Sequence, residues 1–239
     1  MLTATLLSKK YGNLLAIDQV SFTIRPGEVV GLLGANGAGK TTTLRILTGA
    51  MPPTSGEVIV DGFNLLDQPN EAKRRMGYLP ENPPLTPELT VEESLSFVAG
   101  LQGINPKRPK IEEAIEKTGL TEVRKRIIGN LSKGFRQRVG IAQAILHHPT
   151  FLILDEPTVG LDPKQILEIR TLIRDLKGDR AILLSSHILQ EVTLVCDRIL
   201  IIHHGKIIAD GKISDLTERF GKKDLEELFL FLTEDACSP

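Results

Sequence analysis

The sequence predicts an α/β fold with a mostly parallel sheet, an antiparallel β layer and an inserted helical lobe. Three observations carry this. First, the apolar runs at Val29–Leu33, Phe151–Leu154 and Ala181–Leu184 have no polar alternation, as expected of strands covered on both faces in a parallel sheet. Second, Leu2–Leu7, Val20–Ile24 and Val58–Val60 are more mixed, and turn signals such as Arg25-Pro26-Gly27 separate them. This is the pattern of an antiparallel layer. Third, the proline-rich stretch Pro80 to Pro87 cannot form a regular helix or a central strand, and helical patterns follow it at Val91–Leu101, Ile111–Thr118 and Gly134–Leu146.

Taken in chain order, the first two strands lead to the buried strand 29–33. Gly34-Ala35-Asn36-Gly37-Ala38-Gly39-Lys40-Thr41 follows it and matches G-x-x-x-x-G-K-[ST] at every fixed position. A helix begins at Lys40 and runs to Leu47. Thr90 is placed to cap the helix at Val91, with Glu93 three residues on completing a capping box. Asn105-Pro106 to Pro109 breaks the helical run. After the lobe come strand 151–154, a helix over Lys164–Lys177, strands 181–184 and Ile199–Ile202, and a short helix over Leu225–Leu232. The chain reads as one domain, 1–239, with its core in 1–87 and 149–220, the lobe in 88–148 and a helical tail in 221–239.

The composition is that of an ordinary globular protein, with 41% hydrophobic and 25% charged residues. A net charge of −1 argues against nucleic acid as the main partner. Cys196 and Cys237 have no metal or disulfide spacing. No basic segment followed by a long apolar stretch marks a signal peptide, and the apolar runs are too short to cross a bilayer. A membrane role is therefore expected to be peripheral.

Strand, glycine loop and helix together form a site for a triphosphate. Backbone N–H groups of Gly34, Asn36, Gly37, Ala38 and Gly39 can cradle phosphate oxygens, and the helix start at Lys40, Thr41 and Thr42 adds a favourable field. Lys40 supplies charge to the β- and γ-phosphates, and the Thr41 hydroxyl is a Mg²⁺ ligand. Asp155 and Glu156 stand at the end of strand 151–154, where open α/β sheets bind ligands. Asp155 is suited to hold Mg²⁺ through water and Glu156 to orient the attacking water. The strand must end near Asp155, and Pro157 helps to enforce that. Asp162 before Pro163 is a helix cap. His147-His148 and His203-His204 match no motif and are expected at solvent rather than on a metal.

With these motifs in this order, residues 2 to 220 resemble the ATP-binding subunits of ABC transporters. Leu131-Ser132-Lys133-Gly134-Phe135-Arg136-Gln137-Arg138 is similar to that family's signature, which usually has Gly at the position of Lys133. The resemblance implies ATP and Mg²⁺ as cofactors and assigns further roles. Tyr11 stacks on adenine. Leu131, Ser132, Lys133, Gly134, Gln137 and Asp162 serve the signature and the dimer interface. His187 is the γ-phosphate-sensing switch. Glu81 stands where the family has Gln and is an additional Mg²⁺ candidate. Glu81, the Leu-Ser-Lys-Gly signature and the ending Leu225-Glu226-Glu227-Leu228-Phe229 resemble the subfamily serving ABC-2 type exporters. The implied activity is ATP hydrolysis, with Glu156, His187 and Lys40 as catalytic residues. It would occur in a homodimer or a pair with a closely related subunit, powering an integral-membrane permease from the cytoplasmic face of the membrane. The competing reading is a soluble ABC-type ATPase acting on a macromolecule such as the ribosome or DNA.

Overall fold

The computed structural model describes residues 1–178 and 180–234; Cys237 lies outside them. Two sheets form the body. The first is antiparallel, in the order β2 (Leu14–Ile24), β1 (Leu2–Tyr11), β4 (Ser55–Val60) and β5 (Phe63–Asn64). The second has the order β10 (Lys206–Gly211), β9 (Arg198–His203), β3 (Val29–Leu33), β8 (Ala181–Ser186), β7 (Phe151–Asp155) and β6 (Met76–Leu79). It is parallel except for the β9–β10 hairpin.

The central strands are buried on both faces, as their unbroken apolar runs require. Alternate residues of β3 belong to different cores. Val30 and Leu32 pack with Leu2, Leu7 and Ile24 of the antiparallel sheet, whereas Leu33 packs with Val192, Leu216 and Leu228 of the C-terminal helices. All of these are essentially inaccessible. Each such side chain contributes about 1.5–3 kcal/mol through burial, so both flanking layers are held to this one strand.

The helices are α1 (Lys40–Leu47), α2 (Pro69–Lys73), α3 (Val91–Leu101), α4 (Lys107–Lys117), α5 (Lys133–Ile145), α6 (Pro163–Lys177), α7 (Leu189–Val195), α8 (Ile213–Phe220) and α9 (Leu225–Glu234). The capping box on α3 is present: Glu93 N–H donates to Thr90 Oγ1 at 3.3 Å and Thr90 N–H to Glu93 Oε2 at 2.9 Å. Buried residues of α3, α4 and α5, including Leu95, Ile115 and Ile141, share a core with Leu152 and Leu154 of β7 and Ile173 of α6.

Several sequence expectations are corrected. Pro109 does not break the helical run; it is the third residue of α4, within the first turn, where the missing N–H has no intrahelical acceptor. β1 continues beyond Leu7 to Tyr11, and β2 begins at Leu14 rather than Val20. Of the histidines expected at solvent, His148 and His204 are exposed, but His147 and His203 are half-buried. His147 Nε2 lies 2.9 Å from the Met76 carbonyl oxygen, to which it donates.

Candidate nucleotide-binding site

The site lies where β3, β7 and β8 reach their C-terminal ends. β3 runs into the glycine loop, which returns as α1. Gly39, immediately before the helix, has φ 113°, a conformation that only glycine adopts readily. A Cβ there would lie 2.9 Å from Ile17 Cγ2 and 3.0 Å from the Ala16 carbonyl oxygen, so the loop also needs a bare α-carbon to seat against β2. Asn36 and Gly37 are exposed, whereas Ala38 is buried. Thr41 is exposed and Thr42 half-buried in the first turn of α1.

Lys40 folds over the loop. Its Nζ donates to the carbonyl oxygens of Gly34 at 2.6 Å and Ala35 at 3.2 Å. Burial lowers its pKa, against the opposing pull of Glu156 and Asp155. Asp155 ends β7 and is partly buried. Burial raises its pKa, with Glu81 adding to the rise, while a hydrogen bond from Ser185 and the charge of Lys40 oppose it. Asp155 thus lies within electrostatic reach of Lys40 and Glu81, and Lys40 within reach of Glu156.

The chain turns sharply after Asp155. Glu156 has φ 48°, so its side chain leaves the strand's alternation and both carboxylates can address one place. The turn is held by Ser185: Glu156 N–H donates to Ser185 Oγ at 3.0 Å, and Ser185 Oγ–H donates to Asp155 Oδ1 at 2.6 Å. Ser185 is directly opposite Asp155 in the β7–β8 register and is fully buried. Reading the sequence alone misses its part in the site, although a serine directly after the apolar run 181–184 and two residues before His187 is a usable signal. His187 Nδ1 lies 2.9 Å from Glu156 Oε2; the histidine is 52% exposed and the glutamate only 11%.

The oxygen donors here fit magnesium. Thr41, Asp155 and Glu81 offer hard ligands, and Asp155 is a partly buried carboxylate. Among the described residues no three His, Cys, Asp or Glu side chains form a complete metal cage.

The remaining sequence candidates lie elsewhere. Tyr11 ends β1, 42% exposed, with its hydroxyl 2.9 Å from Met51 Sδ. Ser132 caps α5, accepting from Phe135 N–H at 3.4 Å. Ser132 and Lys133 are exposed, whereas Leu131, Gly134 and Gln137 are buried. Gly134 permits close packing on α6: a Cβ there would lie 2.8 Å from Gln165 Cδ. The ammonium of Lys133 lies over Gly160, and Asp162 caps α6, accepting from Gln165 N–H at 2.9 Å. Glu81, Lys133, Arg136 and Gln137 line one cavity of about 250 Å³.

A family model described as "ABC transporter" matches residues 17–159. The bacitracin transport ATP-binding protein BcrA of Bacillus licheniformis is 42% identical over 228 residues, covering 95% of this chain and 74% of that protein. This chain belongs to the ABC transporter family. It is an ATP-binding subunit, and it hydrolyses ATP to drive transport. A solved ATP-binding subunit of an ABC transporter superposes with a TM-score of 0.88 at 34% identity, covering 97% of this chain and 99% of that one. A dimeric ATP-binding cassette in a post-hydrolysis state, bound to ADP and Pi, superposes at 0.79 with 25% identity, covering 89% and 98%. These relatives do not favour an ATPase acting on the ribosome or DNA. Among the described residues no helix is long and apolar enough to cross a membrane.

Proposed function

We propose that this ABC chain hydrolyses MgATP at composite sites of a head-to-tail dimer and passes the resulting motion to a separate integral-membrane permease. The reading is carried by one observation: Glu156, turned out of β7 at positive φ, is hydrogen-bonded to His187 beside Asp155 and Lys40. In this reading the amides of Gly34–Gly39 and Lys40 bind the β- and γ-phosphates, and Tyr11 packs on the adenine. Thr41, and Asp155 through water, with Glu81 as a further candidate, would hold Mg²⁺, which would supply charge neutralisation at the phosphates. Glu156 orients a water molecule and accepts its proton. The water oxygen bonds to the γ-phosphorus as the bond to the ADP oxygen breaks. His187 fixes the Glu156 carboxylate through Nδ1 and presents its other ring nitrogen to the γ-phosphate.

The dimer supplies the other wall. Ser132 and the amides of Lys133 and Gly134, at the start of α5, face the γ-phosphate held by the partner, and Asp162 lies at the same face. The dimeric relative bound to ADP and Pi supports this arrangement. The chain acts as one ATPase domain, with residues 88–148 as the lobe that moves with the Glu81 segment and addresses the permease. Its place is the cytoplasmic face of the membrane, bound peripherally. The direction is export, on the strength of Glu81 and the Lys133 signature.

Glu156→Gln tests this reading. The variant should lose at least about a hundredfold in turnover while binding ATP normally and forming an ATP-stabilised dimer on size exclusion. Turnover equal to that of the parent chain would remove Glu156 from its role.

A further inference from the structure

Two more side chains of the same two segments meet in the interior. Thr158 is two residues beyond Glu156, and Glu191 is four beyond His187; each is only 4% exposed. The Thr158 hydroxyl donates to a Glu191 carboxylate oxygen. A carboxylate so far from water is strongly unfavourable unless hydrogen-bonded, and the mechanism above makes no use of it.

The two segments are thus joined twice, by His187 to Glu156 near the surface and by Glu191 to Thr158 inside. From Glu156 onward the loop is tied by its own hydrogen bonds. Val159 N–H donates to the Glu156 carbonyl oxygen and Leu161 N–H to that of Thr158, both at 3.2 Å, and Asp162 then caps α6. On the α7 side, Ile188 N–H donates to Ser186 Oγ at 3.0 Å and Glu191 N–H to the Ile188 carbonyl oxygen at 3.1 Å. Displacing either segment alone would leave the Glu191 carboxylate buried and unpaired.

We propose that Glu191 is a positioning residue: with Thr158 it latches the segment bearing His187 to the loop Thr158–Asp162, so that the two move as one body. The proposal rests on the assignment of Glu156 and His187 given above. A change sensed at His187 is thereby carried to Gly160 and Asp162 at the proposed dimer face, without any nucleotide contact by Thr158 or Glu191.

The test uses the full chain with MgATP and compares Thr158→Val, Glu191→Ala and the double variant with Thr158→Ser, which keeps the hydroxyl. Each disruptive variant should lower kcat about ten- to a hundredfold with KM for ATP within twofold. The double variant should lose no more than either single one, and Thr158→Ser should stay near the parent. Amide exchange at residues 159–161 should lose the ATP-dependent protection found in the parent, giving a readout separate from turnover. A fall in melting temperature with parental kcat and parental ATP-dependent protection would reduce the contact to packing and overturn the latch. Glu156→Gln run in parallel separates the two ideas. If it turns over normally, the assignment of Glu156 fails; if it is inactive while Thr158→Val turns over like the parent, the latch alone fails.

Discussion

The two halves of the proposed composite site are built in opposite ways. The glycine-loop half is recessed. Lys40 and Asp155 are partly buried, Glu156 is almost covered, and Ser185 at its base is wholly inside. The signature half is a rim, with Ser132 and Lys133 exposed at the first turn of α5. A recess can hold a phosphate chain by itself, because its donors are fixed by the sheet and work at low effective dielectric. A rim cannot, since its contacts compete with water until a partner covers them. The difference predicts that nucleotide affinity resides in one half and assembly-dependent turnover in the other.

The largest effect expected to sharpen this contrast is at Lys40. Lys40→Ala should weaken ATP binding about ten- to a hundredfold, the worth of a charge-assisted hydrogen bond, measured by titration calorimetry at a concentration where the chain is monomeric. Unchanged affinity would break the contrast at its stronger end. Next is Ser132→Ala. It should leave monomer affinity for ATP unaltered but lower turnover several-fold at concentrations that support dimers. Loss of the cap should also remove about 1 kcal/mol of stability; Ser132→Asn keeps a capping oxygen and separates the two effects. A loss of monomer affinity would mean that the rim binds nucleotide without a partner.

The smallest effect concerns stability and pH. Asp155 has a raised pKa because it is buried. Between the ordinary carboxylate value and that raised one, the folded chain holds more protons than the unfolded chain, so this residue's contribution to stability falls as pH rises through the interval. At neutral pH the ionised group is destabilising. Asp155→Asn, which keeps an acceptor for Ser185, should raise the melting temperature at pH 7 and flatten its pH dependence, while hydrolysis comes to need more magnesium. A lower melting temperature would contradict the electrostatic account.

Much of the recessed half is legible in the sequence, because its signals are local. The glycine loop has fixed spacing, and β7 is a pure apolar run with carboxylates at its end. What escapes depends on neighbours distant in the chain. β6 has only four residues, one a glycine, and is a strand because β7 pairs with it. β10 is an edge strand completed by β9. In β1, Ser8-Lys9-Lys10 is a polar run with no strand signal of its own, yet it continues the strand because β2 and β4 supply the pairing. α7 and α8 have no side-chain cap to announce them. His147 reads as a surface residue after a helix, but β6 brings the Met76 carbonyl to it. Ser185 enters the site only through the β7–β8 register.

The backbone at Glu156 has a wider consequence. A side-chain-bearing residue at φ 48° sits in a region that disfavours it by about 1 kcal/mol or more relative to glycine. The geometry that aims this carboxylate is the geometry in which the chain would be more comfortable with no side chain at all. On the role proposed for Glu156, sturdiness and turnover pull in contrary directions at a single position.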